Sequence, residues 1–273
     1  MKHIFQSFYL DSPLQRGRIF DVFEPETVTK DTAVFFIHGG GWKAGSRTGH
    51  HVIMQQFNED GYLCASTDYR LSCVTAFDQL QDVRESYDRF VSLLKEKNRP
   101  LRIAVAGSSA GAHLASLLVC AEPGECGEKP RLENKWVKPV RGILQSTPSR
   151  FTPWEDIFPH IWTSMQGIAG APYSDDPGRF EKLSLANYIR KDNPPLFFAE
   201  AENEHMFPPE MNWELVRKQR GLGIPSQWKL YTMAEHGFFY DLTRRQQKEF
   251  YRDFRSFLDT GKVDGNRYNF FRG

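Results

Sequence analysis

Residues 103–114 read Ile-Ala-Val-Ala-Gly-Ser-Ser-Ala-Gly-Ala-His-Leu. The first four are apolar without a polar interruption, as suits a strand buried on both faces, and the run stops at Gly107. From Ala110 to Cys120 nearly every residue is small or apolar, as in a central helix covered by neighbours. Between the two lies Gly107-Ser108-Ser109-Ala110-Gly111, a G-x-S-x-G. Its three fixed positions would recur by chance about one time in ten in a chain this long. Its context makes it specific: a tight strand-to-helix turn lifts Ser109 clear of the sheet. Flanking glycines suit a strained backbone pressed against neighbouring strands, where a Cβ has no room. The turn also puts Ser109 at a helix N-terminus, whose free N–H groups favour developing negative charge.

The same strand, turn and helix pattern recurs outward from this segment. Apolar runs stand at Ala33–Ile37, Tyr62–Ala65, Gly142–Leu144 and Leu196–Ala199, and a further strand is expected at Gln227–Thr232. Helical 3/4 spacing links Leu80, Val83, Tyr87, Phe90, Val91 and Leu94, and a last helix fits Leu242–Leu258. Alternation of this kind predicts an α/β fold with a mainly parallel sheet of about eight strands flanked by helices. Ile4–Leu10 and Arg18–Phe23 read as an antiparallel hairpin at one edge. Residues 149–182 break the pattern: Trp154, Phe158, Trp162 and Tyr173 crowd a stretch without a strand. A structureless loop of that length is unusual in a compact domain, so short helices forming a lid are expected there. The whole of 1–273 is read as one domain carrying this insertion.

The chain has 273 residues, with 35 Lys+Arg against 34 Asp+Glu and a net charge of +1. That balance provides no electrostatic drive toward nucleic acid or an anionic membrane surface. No apolar run approaches the length of a spanning helix. The opening Met1–Pro13 lacks an apolar leader core, since Gln6, Ser7 and Asp11 interrupt it, so a cytoplasmic location is expected. Four scattered cysteines make neither a disulfide scaffold nor a zinc site, and Cys120 and Cys126 are read as free thiols. No metal and no cofactor is expected. Aromatic residues make up 14% of the chain, enough for an aromatic surface that could support a homodimer.

His38-Gly39-Gly40-Gly41-Trp42 follows the Ala33–Ile37 strand directly. Three consecutive glycines expose backbone N–H groups at a sheet's carboxyl edge, where with the N–H of Ala110 they can bind an oxyanion. A nucleophilic serine also needs a base oriented by an acid. His236 is the one histidine beyond His205, and it sits between the expected strand and the final helix. After Leu196–Ala199 come Glu200, Glu202 and Glu204, with no Asp until Asp241. Glu200 continues the strand too closely to reach over its end. Glu204 is favoured as the acid, with Glu202 the second choice. His113, four residues after Ser109, is assigned a buried structural hydrogen bond. His50 and His51 are assigned to a helix surface, and Asp68–Leu71 to a charged network supporting the site.

These residues resemble the α/β-hydrolase superfamily, in its branch of small esterases with an HGGGW loop. His38–Trp42, Asp68-Tyr69-Arg70-Leu71, Ile103–Leu114, Ala201–Pro208 and Ala234–Phe238 carry the likeness, which spans about residues 15–260. The resemblance implies Ser109 as nucleophile, Glu204 as acid, His236 as base, and Gly40, Gly41 and Ala110 as oxyanion donors. Glu204 departs from that branch, which carries Asp at this position. The branch holds acetylxylan and feruloyl esterases, general carboxylesterases and kynurenine formamidases. It therefore implies a small-molecule ester substrate, with an aryl formamide as the alternative and ligand binding without turnover as a third reading. Trp42, Trp154, Trp162 and Phe207 are the expected substrate-binding residues.

Overall fold

The apolar runs become adjacent strands of one sheet in the computed structural model, which describes residues 3–8 and 18–264. The strands are β1 (His3–Phe8), β2 (Ile19–Glu24), β3 (Thr32–Ile37), β4 (Cys64–Thr67), β5 (Arg102–Ser108), β6 (Arg141–Gln145), β7 (Leu196–Asn203) and β8 (Gln227–Glu235). Their order across the sheet is β1-β2-β4-β3-β5-β6-β7-β8. Pairs from β4 through β8 are parallel, and β1 and β2 form the antiparallel edge. The eight-stranded, mainly parallel sheet is the one expected. Residues 9–17, which include the end of the expected first hairpin strand, lie outside the described residues.

The helices are α1 (His51–Glu59), α2 (Ala76–Glu96), α3 (Ala110–Cys120), α4 (Pro159–Ala169), α5 (Pro177–Leu183), α6 (Pro209–Gly221) and α7 (Arg245–Thr260). α2 starts at a capping box in which Thr75 and Asp78 satisfy each other's backbone N–H groups. Successive residues of β3 face opposite layers, as the pleat requires. Phe35 and Ile37 pack in one core with α2 and α3, while Val34 and Phe36 pack in the other with α1 and α7. The second core holds a chain of ring contacts through Phe36, Phe57, Phe254, Phe250 and Phe239. Much of the aromatic excess is therefore sheet packing. All four cysteines are free. Among the described residues no helix is long and apolar enough to cross a membrane.

Residues 149–182 enter between β6 and β7 and carry α4 and most of α5. Trp162, Tyr173 and Phe180 contact one another in pairs at 5.1–5.7 Å between ring centres, and the Arg179 guanidinium donates to the Ala169 carbonyl at 2.5 Å. Four boundaries differ from expectation. β4 begins at Cys64, because residues 60–62 close the turn that ends α1. α7 begins at Arg245, because Thr243 and Arg244 bond back to Asp241 and Gln247 ahead of the first turn. β7 and β8 extend past their apolar runs, to Asn203 and Glu235, since each supplies the other's ladder. Those two extensions end one residue before Glu204 and His236.

Candidate active site

Ser109 occupies a backbone conformation of φ 53° and ψ −124°, which an L residue adopts only when its surroundings impose it. Two glycines make the turn feasible. A Cβ on Gly107 would lie 2.4 Å from the Gly111 carbonyl oxygen, and one on Gly111 would lie 2.1 Å from that of Ile37. The Ser109 N–H donates to the Gln145 carbonyl at 2.9 Å, which ties the turn to β6.

Ser109 Oγ lies 2.8 Å from His236 Nε2, and His236 Nδ1 lies 2.7 Å from Glu204 Oε2. With the hydroxyl donating to Nε2, the Nδ1–H donates to the carboxylate and fixes the tautomer. The other Glu204 oxygen accepts the N–H groups of Met206 at 2.9 Å and Phe207 at 3.4 Å. Burial works to raise the Glu204 pKa, but the hydrogen bond and charge of His236 and the two N–H donors hold it below 4.5.

The other two glutamates point elsewhere. Glu202 is exposed near the end of β7 and accepts the Met233 N–H at 2.8 Å. Glu200 is buried and accepts from Asn212 Nδ2 at 2.9 Å. Burial pushes its carboxyl well above the usual range; the Asn212 bond opposes this and the nearby Glu204 charge adds to it. The contribution of Glu200 to stability is therefore complete below the unfolded value of about 4.3 and is lost as pH rises toward the raised folded value. Glu200→Gln is expected to raise Tm at pH 8 by about 2–4 °C for each kcal/mol relieved and to have no such benefit near pH 4. Thermal melts at the two pH values check this, and an equal shift at both would contradict it.

The glycine loop runs directly over the Ser109 turn. A Cβ on Gly39 would meet the Ser108 carbonyl oxygen at 2.7 Å and Ser109 Cβ at 3.3 Å. Gly40 has φ 115° and its carbonyl accepts the N–H groups of Lys43 and Ala44, which closes a tight turn. Gly41 has φ 58° and open space at its Cβ position. Ala110 is the buried first residue of α3, where N–H groups have no partner within the helix. His38 anchors the loop: its ring stacks on Tyr69 at 4.3 Å, and the Tyr69 hydroxyl donates to its carbonyl at 2.8 Å. The charged stretch beside it is a network, as expected. Asp68 bonds Arg47, which also reaches Asp21, while Arg70 bonds Asp82.

The expected substrate-binding residues separate into two groups. Trp154 and Phe207 line a cavity of about 460 Å³ together with Glu204, and the Phe207 ring lies 5.9 Å from His236. Trp162 instead packs inside the 149–182 segment. Trp42 corrects the expectation: it is 2% exposed, and its indole N–H donates to His113 Nδ1 at 3.2 Å. Its backbone is left-handed, φ 62°, and its ring packs edge-on against His113 and Phe151. His113 has the structural place expected, since Nε2 also bonds the Leu183 carbonyl at 2.9 Å and burial lowers its pKa to about 4. His50 is a further correction. It is buried against Phe36 rather than on a surface, and burial lowers its pKa to about 3. Among the described residues no group of three His, Cys, Asp or Glu could hold a metal ion. Sequence reasoning missed Gln145, Glu200 as a buried carboxyl bonded to Asn212, and Asn212 itself; none lies in a motif.

Relatives fit this geometry. The chain is 26% identical over 251 residues to esterase LipC of Mycobacterium tuberculosis, covering 84% of this chain and 58% of that protein. It is 28% identical over 197 residues to kynurenine formamidase of Drosophila melanogaster, covering 64% and 66%. The chain spans about half the length of the curated mycobacterial relatives it matches. Among solved structures, esterase 2 of Thermogutta terrifontis, phosphonylated by sarin, superposes with a TM-score of 0.77. The identity is 17%, with 96% of each chain covered, a likeness of fold. Together with the sheet order this is an α/β-hydrolase fold. Residues 20–218 match the BD-FAE family model, and the chain belongs to the BD-FAE family.

Proposed function

We propose that this chain is a serine hydrolase of small carboxylic esters, acting through an acyl-enzyme. The observation that carries the reading is the continuous hydrogen-bonded chain from Ser109 through His236 to Glu204, at a strained turn beneath a glycine loop. Ser109 Oγ attacks the acyl carbonyl carbon while its proton passes to His236 Nε2, and the Glu204 carboxylate stabilises the imidazolium so formed. The tetrahedral oxyanion faces the N–H groups of Ala110, Gly40 and Gly41. His236 then returns the proton to the departing alcohol. Water, deprotonated by His236, attacks the acyl-enzyme and releases the acid. Residues 149–182 serve as a lid on this one hydrolase domain, with Trp154 and Phe207 beside the reacting groups. The resemblance to LipC, itself named an esterase, supports the ester reading.

A second reading is favoured by one observation: the match to kynurenine formamidase beside a cavity lined by Trp154 and Phe207, which suits an aryl group. Turnover of p-nitrophenyl acetate, p-nitrophenyl butyrate and N-formylkynurenine by the same preparation separates the two. The acetate is expected to have the higher kcat/KM. A clear preference for N-formylkynurenine would transfer the assignment to amide hydrolysis, and binding without turnover of any of the three would overturn both.

A further inference from the structure

We infer that Gln145 is a positioning residue that fastens the His236 loop to the Ser109 turn through a single carboxamide. Gln145 ends β6 and is 2% exposed. Its main-chain carbonyl accepts the Ser109 N–H. In the orientation that turns its oxygen to donors and its nitrogen to an acceptor, its side-chain oxygen accepts the N–H of Phe238 at 2.9 Å and of Gly237 at 3.3 Å, while its NH₂ donates to Ser108 Oγ at 2.7 Å. The residue before Ser109 and the two residues after His236 are therefore held by the same planar group. Gly237, at φ 68°, lies so close above Ser108 that a Cβ there would be 3.9 Å from the Ser108 hydroxyl. The inference rests on the proposed reading of Ser109 and His236 as the reacting groups.

The residue type suits the task. The Phe238 N–H, the Gly237 N–H, which also donates to the Ser146 hydroxyl at 3.4 Å, and the Ser108 hydroxyl meet at one place, where a carboxamide supplies acceptor and donor without charge. The space beside it, shared with His50, Phe36 and Phe239, is only about 10 Å³, so the side chain at 145 has little room to shift. Glu204 bonds His236, Glu235 immediately precedes it, burial holds Glu200 toward its neutral form, and His50 beside Gln145 is neutral. A charge placed at position 145 would therefore register in the titration of His236. Misplacing a reacting pair by about 1 Å can cost 100-fold in rate, which is the scale on which losing the fastening should act.

Two variants test this. Gln145→Leu removes the bonds, and its kcat on p-nitrophenyl acetate is expected to fall roughly 10- to 100-fold, with KM nearly unchanged, when rates are expressed per site titrated by a fluorophosphonate. Gln145→Glu keeps an acceptor for both N–H groups, with the Ser108 hydroxyl turned to donate. Above the rising limb of its pH profile its kcat is expected to recover most of the loss. The limb itself should move to higher pH, because a carboxylate favours protonated His236. A merely structural role would lower Tm in Gln145→Leu with kcat per site intact, and would leave the Gln145→Glu profile on that of the wild type; either result overturns the inference. Should Gln145→Leu fail to fold, the Gln145→Glu profile decides alone. Should the wild type hydrolyse none of the esters, the hydrolase reading fails, and the His236 Cε1–H resonance titrated by NMR still tests position 145. An unshifted midpoint in Gln145→Glu would then overturn the inference.

Discussion

Ser109→Ala is expected to lower kcat on p-nitrophenyl acetate by about 10⁴- to 10⁶-fold, since removing a nucleophile from a hydrogen-bonded triad costs about as much as removing the whole unit. The substitution deletes one hydroxyl and one hydrogen bond, to His236. It leaves the backbone strain in place, because alanine meets the same penalty at φ 53°. Tm should therefore stay close to that of the wild type, and the fluorophosphonate adduct should be absent from the mass spectrum. Ser109→Gly separates chemistry from strain. It is equally without a nucleophile, but glycine relieves a conformation that costs about 1–3 kcal/mol, against about 0.5–1 kcal/mol lost to its freer unfolded chain. Its Tm should exceed that of Ser109→Ala by a few degrees. A Ser109→Ala protein retaining more than about 1% of activity would sink the nucleophile assignment, and a glycine variant less stable than the alanine one would sink the account of the strain.

The parts of this molecule readable from sequence are those where local chemistry and tertiary demand coincide. α3 begins and ends where its small, apolar stretch does, because every face of that helix is buried. Gly107 and Gly111 are legible because only glycine fits there, a constraint that leaves its mark on composition. The ends of β7 and β8 are not legible in this way. Glu202, Asn203 and Glu235 are polar and extend a strand only because the opposite strand satisfies their backbone groups, with an irregularity between Ala201 and Asn203. The same ladder decides the fates of three glutamates that look equivalent in sequence. Glu200 is still under the covering layer, Glu202 has passed beyond it, and Glu204 has left the ladder and can turn toward His236. Trp42 and His50 escape the sequence for a related reason: the direction of a side chain in a short turn depends on the local backbone and on neighbours that no periodicity encodes. Gln145 belongs to the same class, since what it joins lies on two other segments of the chain.

Glu204→Gln is expected to lower kcat by about 10³- to 10⁴-fold, the cost of presenting a histidine with the wrong partner. The Met206 and Phe207 N–H groups require an acceptor, so they hold the carboxamide oxygen and turn its NH₂ toward His236 Nδ1. A donor there forces the proton onto Nε2, which can no longer accept from Ser109. Glu202→Gln is the paired control: its only bond at stake is to the Met233 N–H at an exposed position, and its kcat should change less than twofold. Stability supplies a second readout with a definite sign. The Glu204 pKa is held below 4.5 in the fold, so its contribution is complete above the unfolded value and is lost as pH falls through the folded one. The Tm difference between wild type and Glu204→Gln should therefore be greatest at neutral pH and shrink on acidification below about pH 4. Glu204→Asp keeps the charge but shortens the reach by one methylene, so it should fall between the wild type and Glu204→Gln in rate. A large loss in Glu202→Gln with near-normal Glu204→Gln would move the acid to position 202, whereas comparable losses in both would mean that the strand end, rather than one carboxylate, sets the geometry of His236.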